Sequence, residues 1–156
     1  MLNTFLRLIA LTGMICTYIT CQSPVPHSVE KTKTYGNGSI SSRYFEIDGK
    51  IEGKMTEYYP DGKLKAERWF ENNRENGRTV IFYPSGKIQE VQYYQEGVKH
   101  GGDTIWYEDG RLQFVLNFEN NRKHGYLCKW SPEGKIVVEA KYARDTLVEV
   151  QGKPIQ

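Results

Sequence analysis

Cysteine is scarce in this sequence: of three in 156 residues, Cys16 and Cys21 sit near the N-terminus and only Cys128 lies in the body of the chain. With Cys16 leaving in a cleaved N-terminal segment and Cys21 taken by a modification, Cys128 is left without a partner, so a disulfide-framed scaffold is not expected. Charge of one sign is also lacking. The formal net charge is +2, which does not mark a nucleic-acid or anionic-membrane binder. Beyond the N-terminus no window keeps apolar residues at i, i+3, i+4 and i+7, so amphipathic helices are not expected. There is no phosphate loop, no nucleophile elbow and no zinc-spaced set of Cys and His. The reading is of a non-enzyme with no catalytic residue, metal or cofactor assigned.

What the chain does have is glycine at fixed intervals. Gly53, Gly77, Gly101 and Gly125 stand 24 residues apart, and so do Gly62, Gly86, Gly110 and Gly134. A constant period of this length is the mark of a repeat architecture. Four copies, 53–76, 77–100, 101–124 and 125–148, align without a gap. Each has the grammar of a β-hairpin. A strand ends in an aromatic cluster (Tyr58-Tyr59, Phe82-Tyr83, Trp106-Tyr107, then Trp130 alone), and a turn follows: PDGK, PSGK, EDGR or PEGK. Gly62, Gly86, Gly110 and Gly134 supply the positive φ of a type I turn with a G1 bulge. The second strand starts at Leu64, Ile88, Leu112 or Ile136 and ends at Phe70, Tyr94, Phe118 or Tyr142. Polar links (ENNREN, QEGVKH, ENNRKH) lead to the next ladder glycine. Aromatics make up 13% of the chain, eleven of them Tyr, which suits strands.

Around these copies, residues 34–52 read as a degenerate N-terminal half-repeat capping the stack, and 146–156 as a C-terminal cap in which Thr146–Val150 adds a last strand. The repeats proper occupy 53–145. The fold expected is all-β: a single-layer or partly rolled antiparallel β-meander of stacked 24-residue hairpins.

Residues 1–20 read as a signal peptide, with Arg7 ahead of an apolar run from Leu8 to about Ile19. The stretch ending at Cys21 resembles a bacterial lipoprotein signal, which implies a lipid-modified Cys21 as the first mature residue; an ordinary cleaved signal and an uncleaved anchor are the alternatives. Residues 21–33 then read as a tether. The expectation is an exported protein of a bacterial envelope, held to the membrane through its N-terminal lipid or else secreted.

Strand periodicity assigns the core. The columns Thr56/Val80/Thr104/Cys128, Tyr58/Phe82/Trp106/Trp130, Leu64/Ile88/Leu112/Ile136 and Phe70/Tyr94/Phe118/Tyr142 are expected inside. Glu57/Ile81/Ile105/Lys129 and Trp69/Tyr93/Asn117/Lys141 are expected on the wetter face. The candidate binding face is aromatic: Tyr59, Tyr83 and Tyr107 in one column, Trp69 and Tyr93 in another, expected on the same face and able to stack on sugars or grip a peptide. His100 and His124, one repeat apart, read as surface or link residues rather than metal ligands, and Cys128 as a small core residue. The carboxylate pair Glu57 and Glu67 has no cleft around it.

The aromatic-Tyr-Pro-Asp-Gly-Lys-Leu pattern, the aromatic strand end and the Lys-His-Gly at 99–101 and 123–125 resemble the MORN repeat. The likeness is greatest to bacterial MORN-variant proteins, often labelled YwqK-family antitoxins, over residues 34–145. It implies a non-catalytic repeat scaffold that binds a protein or envelope component. A carbohydrate-binding or small glycan-active protein is the alternative, and an antitoxin-type protein partner the second.

Overall fold

The computed structural model describes residues 27–151 and 153–154. The expected signal peptide, Cys21 and its expected lipid lie outside the described residues. Fourteen strands follow one another: β1 (Ser28–Thr34), β2 (Ile40–Ile47), β3 (Lys50–Tyr58), β4 (Leu64–Glu71), β5 (Arg74–Glu75), β6 (Gly77–Phe82), β7 (Ile88–Gln95), β8 (Val98–Trp106), β9 (Leu112–Glu119), β10 (Arg122–Lys123), β11 (Gly125–Trp130), β12 (Ile136–Ala143), β13 (Thr146–Val150) and β14 (Lys153–Pro154). They form one open antiparallel sheet in chain order, with β5 and β10 as short pieces beside β4 and β9. This is the expected meander, and no helix occurs among the described residues.

Two kinds of turn alternate. At the first, Gly62 sits at φ 85°, its N–H donates to the Tyr59 carbonyl (2.9 Å), and the Tyr59 N–H donates to the Lys63 carbonyl (2.8 Å). Gly38, Gly86, Gly110 and Gly134 close the same turn. The second kind replaces what the sequence presented as links. Asn72 and Asn73 both have positive φ (51° and 66°), and Glu71 pairs directly with Arg74. This is a two-residue type I′ turn, whose twist matches that of the strands it joins. It recurs at Asp48-Gly49, Glu96-Gly97, Asn120-Asn121 and Arg144-Asp145. The links are therefore hairpin tips in their own right.

Both rims of the sheet are stitched from repeat to repeat. On one, the hydroxyls of Tyr35, Tyr59, Tyr83 and Tyr107 donate to the carbonyls of Tyr58, Phe82, Trp106 and Trp130 at 2.7–2.9 Å. On the other, the type I′ turns bond back to the previous tip. Asn73 N–H donates to Ile51 O (3.1 Å) while Ile51 N–H donates to Asn73 Oδ1 (2.7 Å), and Asn121 does the same with Lys99. Neighbour-to-neighbour bonding of this kind is what holds a solenoid-like stack together.

Two expectations are corrected. Residues 28–33 are not tether, because Ser28–Thr34 forms β1 and pairs along its whole length with β2, making the N-terminal copy a complete hairpin. No apolar alternation announces β1, since all its residues are exposed and it forms the sheet edge. The second correction concerns the faces. Glu57 pairs with Ala66, but the next pair is Tyr58 with Leu64, so Lys65 is bulged. A one-residue slip sends every later side chain to the opposite face. Counted through the bulge, Phe70 joins Met55, Glu57, Ala66 and Arg68 on one face, here called the core face. Trp69 joins Lys54, Thr56 and Glu67 on the other, the ring face.

Val80, expected inside, is buried with its cross-strand partner Val91 on the ring face, but most of the buried residues differ from those expected. Met55, Thr79, Asp103 and Leu127 form one buried column of the core face, and Tyr44, Gln92, Leu116 and Ala140 lie in another. Leu116, Leu127 and Ala140 pack together beneath Phe114, Phe118, Tyr142 and Val150. The Ile88, Leu112 and Ile136 column, expected inside, is exposed, because it flanks the turns where no neighbouring strand covers it. Cys128 is half-buried on the ring face.

Candidate functional site

The ring face carries the exposed aromatics. Phe45, Trp69 and Tyr93 occupy the same position in three successive repeats and are 45%, 49% and 45% exposed. Tyr126, on the same face, is 59% exposed, with Lys141 Nζ 5.1 Å from its ring centroid. One repeat advances two strands, so equivalent rings are spaced by about 9.6 Å along the sheet. In cross-strand register Lys54 stands opposite Trp69 and Arg78 opposite Tyr93.

The launching glycines explain why rings stand there. Gly77 and Gly101 have φ of 108° and 101°, and a Cβ on either would lie 3.6 Å from Trp69 Cβ and 3.5 Å from Tyr93 Cβ. The side chain eight residues earlier thus roofs the glycine, and Asn117 roofs Gly125 in the same way at 3.8 Å.

Tyr59, Tyr83 and Tyr107 are placed differently from Trp69 and Tyr93. They are half-buried, and their hydroxyls are occupied by the rim bonds. Tyr35, which heads their column, borders a shallow recess with Ser42 and Glu57 of the core face, so there the tyrosine column and the ring face are separate surfaces. Burial, then the charges of Glu108 and Asp109, raises the Tyr83 phenol above its ordinary value.

The core face holds a polar middle section that sequence reasoning missed. Arg68 Nε donates to Glu57 Oε1 (3.1 Å), and its Nη1 donates to Glu75 Oε1 (2.7 Å). One repeat on, the Tyr94 hydroxyl donates to Gln92 Oε1 (2.6 Å), and Gln92 Nε2 donates to Glu90. Lys99 Nζ reaches Asp103 Oδ2 at 3.2 Å, while Asp103 Oδ1 is buried without a hydrogen-bond partner among the described residues. Burial pushes the Glu90 carboxyl above its usual range, and the neighbouring Asp103 carboxylate adds to the shift. The available signal was the column itself: an Asp where the equivalent positions are Met55, Thr79 and Leu127.

The structure separates the other candidate groups. Glu57 and Glu67 lie on opposite faces and each is ion-paired, to Arg68 and Lys54 respectively. His124 Nδ1 lies 3.6 Å from Glu119 Oε2, and His100 is exposed. Among the described residues no three His, Cys, Asp or Glu are grouped to hold a metal ion. Burial, then Glu139, raises the Cys128 thiol, which disfavours the thiolate that nucleophilic chemistry requires.

Residues 51–72 and 75–96 match the family model described as the MORN repeat variant. Each matched stretch starts just past one type I′ tip and ends on the first residue of the next, and the same turns and register continue through the two later copies. The match supports a protein built of MORN-type repeats, which are in general non-catalytic modules. No curated protein matches the chain.

Proposed function

We propose that this chain of MORN-type repeats is a non-catalytic scaffold, exported and held to the cell envelope by lipid on Cys21, that binds another protein or an envelope component through its ring face. The observation that carries the reading is the row of Phe45, Trp69 and Tyr93, half-exposed at one position of successive repeats on a sheet face that no second layer covers among the described residues. Large amphipathic rings held at fixed register make contact area at low entropic cost. The tyrosines at 59, 83 and 107 act behind them, fixing the rim. Their hydroxyls are already bonded within the stack.

The test is capture from an extract of the source cell, with bound proteins identified by mass spectrometry. The double variant Trp69→Ala/Tyr93→Ala is expected to lose at least about tenfold of its specific partner, since buried aromatic anchors carry most of an interface's energy. An unchanged set of captured proteins would move the site off the ring face. The anchor has its own prediction. Mass spectrometry of the mature N-terminus is expected to find residues 1–20 removed and a diacylglyceryl group on Cys21, because a single acyl chain holds a membrane only marginally. A chain still beginning at Met1 would overturn the lipid anchor and leave an uncleaved anchor or a cytoplasmic, antitoxin-type partner.

A further inference from the structure

We propose that the recess over Gly53, between Phe45 and Trp69, is a binding subsite for one pyranose unit of a neutral, β-linked glycan. It deepens the scaffold reading and rests on it in one respect, that the bound glycan is held uncut.

The inference starts from a break in the repeat. Gly77, Gly101 and Gly125 are each roofed by the side chain eight residues earlier. Gly53 is not: a Cβ there would meet no atom within 4 Å, although Phe45 occupies the equivalent roofing position. At this one step the floor stays open. A recess of about 470 Å³ occupies the space, with Phe45 and Trp69 among its walls and Gly53 among its floor residues. Ligand clefts typically span about 300–1,000 Å³ and combine apolar walls with a few fixed polar groups.

Those polar groups suit hydroxyls. Glu30 and Glu52 supply acceptors, Arg43 and Lys54 supply donors, and all four line the recess. Two acids against two cations leave no net charge, so a strongly anionic or cationic ligand would meet its own sign. A sugar, whose hydroxyls both donate and accept, can use both kinds of partner. Two of the four are already held. Glu52 Oε1 accepts the Asn72 N–H (2.7 Å), and Lys54 Nζ is bonded to Glu67 (2.7 Å). Groups fixed in this way lose less entropy on binding. The C–H face of a pyranose would stack on Trp69 or Phe45, as apolar surface does on an aromatic ring. Tyr93 follows one repeat further along the same row, at about the spacing of two strands, so an extended chain in the recess would meet a second ring.

The experiment titrates the full chain with cellotetraose, with N,N′,N″,N‴-tetraacetylchitotetraose and with tetragalacturonate by isothermal calorimetry, which reads binding equally in variants that lack Trp69. Saturable binding of at least one neutral tetrasaccharide is expected. Phe45→Ala and Trp69→Ala should each weaken it about tenfold or more, and Tyr126→Ala should leave it unchanged. Trp69→Ala also removes the roof of Gly77, so Phe45→Ala, whose glycine is unroofed already, is the variant that keeps the fold. No saturable binding of either neutral sugar, equal affinity in Phe45→Ala, or preference for tetragalacturonate would overturn the subsite and leave the scaffold reading to its own capture test. Recovery of shortened sugar would instead overturn the non-catalytic reading on which the subsite rests.

Discussion

Replacing Leu116 by alanine is expected to lower the unfolding free energy by about 2–4 kcal/mol, among the larger costs any single truncation in this chain will show. Leu116 is 3% exposed and packs with Leu127 and Ala140 under Phe114, Phe118, Tyr142 and Val150. A single-layer sheet has no second layer to close a cavity, and its apolar cluster lies at the C-terminal end, where β9, β11 and β12 adjoin. Ile136→Ala is the control. Ile136 belongs to a column that is apolar in every repeat, yet it is 53% exposed, and its truncation should cost less than about 1 kcal/mol. Urea unfolding with comparison of midpoints at constant slope checks both. Because stack stability is close to a sum of neighbour terms, hydrogen exchange should show the loss for Leu116→Ala concentrated in β9, β11 and β12. Equal costs for the two variants would mean that the exposed column carries the core.

That contrast shows which parts of the fold a reader of the sequence can reach. The 24-residue period, the strands from Leu64 to Glu71 and its equivalents, and the all-β class follow from spacing and composition, because each copy repeats the same pattern of rings and turn residues. The faces do not follow, since they depend on Lys65 and its equivalents being bulged, and a bulge leaves no apolar or polar signature of its own. The type I′ tips were nearer to legibility. Asp48-Gly49 is among the strongest short hairpin signals, and Asn-Asn tolerates positive φ at both positions, but the charged residues around these tips make the whole stretch read as linker. The opening over Gly53 could not be read at all. Phe45 stands eight residues before Gly53 as Trp69 does before Gly77, and only the packed side chains distinguish a roofed glycine from an open one.

Asp103→Leu is expected to have the opposite sign from Leu116→Ala, stabilising the chain by about 1–3 kcal/mol near neutral pH. Asp103 is 5% exposed, its Oδ1 has no hydrogen-bond partner among the described residues, and its column-mates in the flanking repeats, Thr79 and Leu127, are a small hydroxyl residue and a leucine. A leucine of similar size removes a buried, half-satisfied carboxylate. Lys99 loses an ion pair but keeps its place, with its side chain 29% exposed and Nζ 5.0 Å from the Phe118 ring centroid. The effect should depend on pH through Glu90. Burial, then Asp103, raises the folded-state pKa of Glu90 above its ordinary value, so between the unfolded and folded values the folded chain holds more proton than the unfolded one. The stability this contributes is fully present below the unfolded pKa and is lost as pH rises through the folded one. Glu90→Gln mimics the protonated form and should remove that loss. Its advantage over the wild type is therefore expected to be small in acid, to grow as pH rises through the folded pKa, and then to level off. Asp103→Leu should reduce the slope without abolishing it, because burial, the larger cause, remains. Urea unfolding at intervals from about pH 4 to pH 8 measures all three chains. A wild type and a Glu90→Gln variant whose stabilities run parallel across that range would show that Glu90 titrates alike in the folded and unfolded chain, and that the polar middle of the core face is not linked to protons.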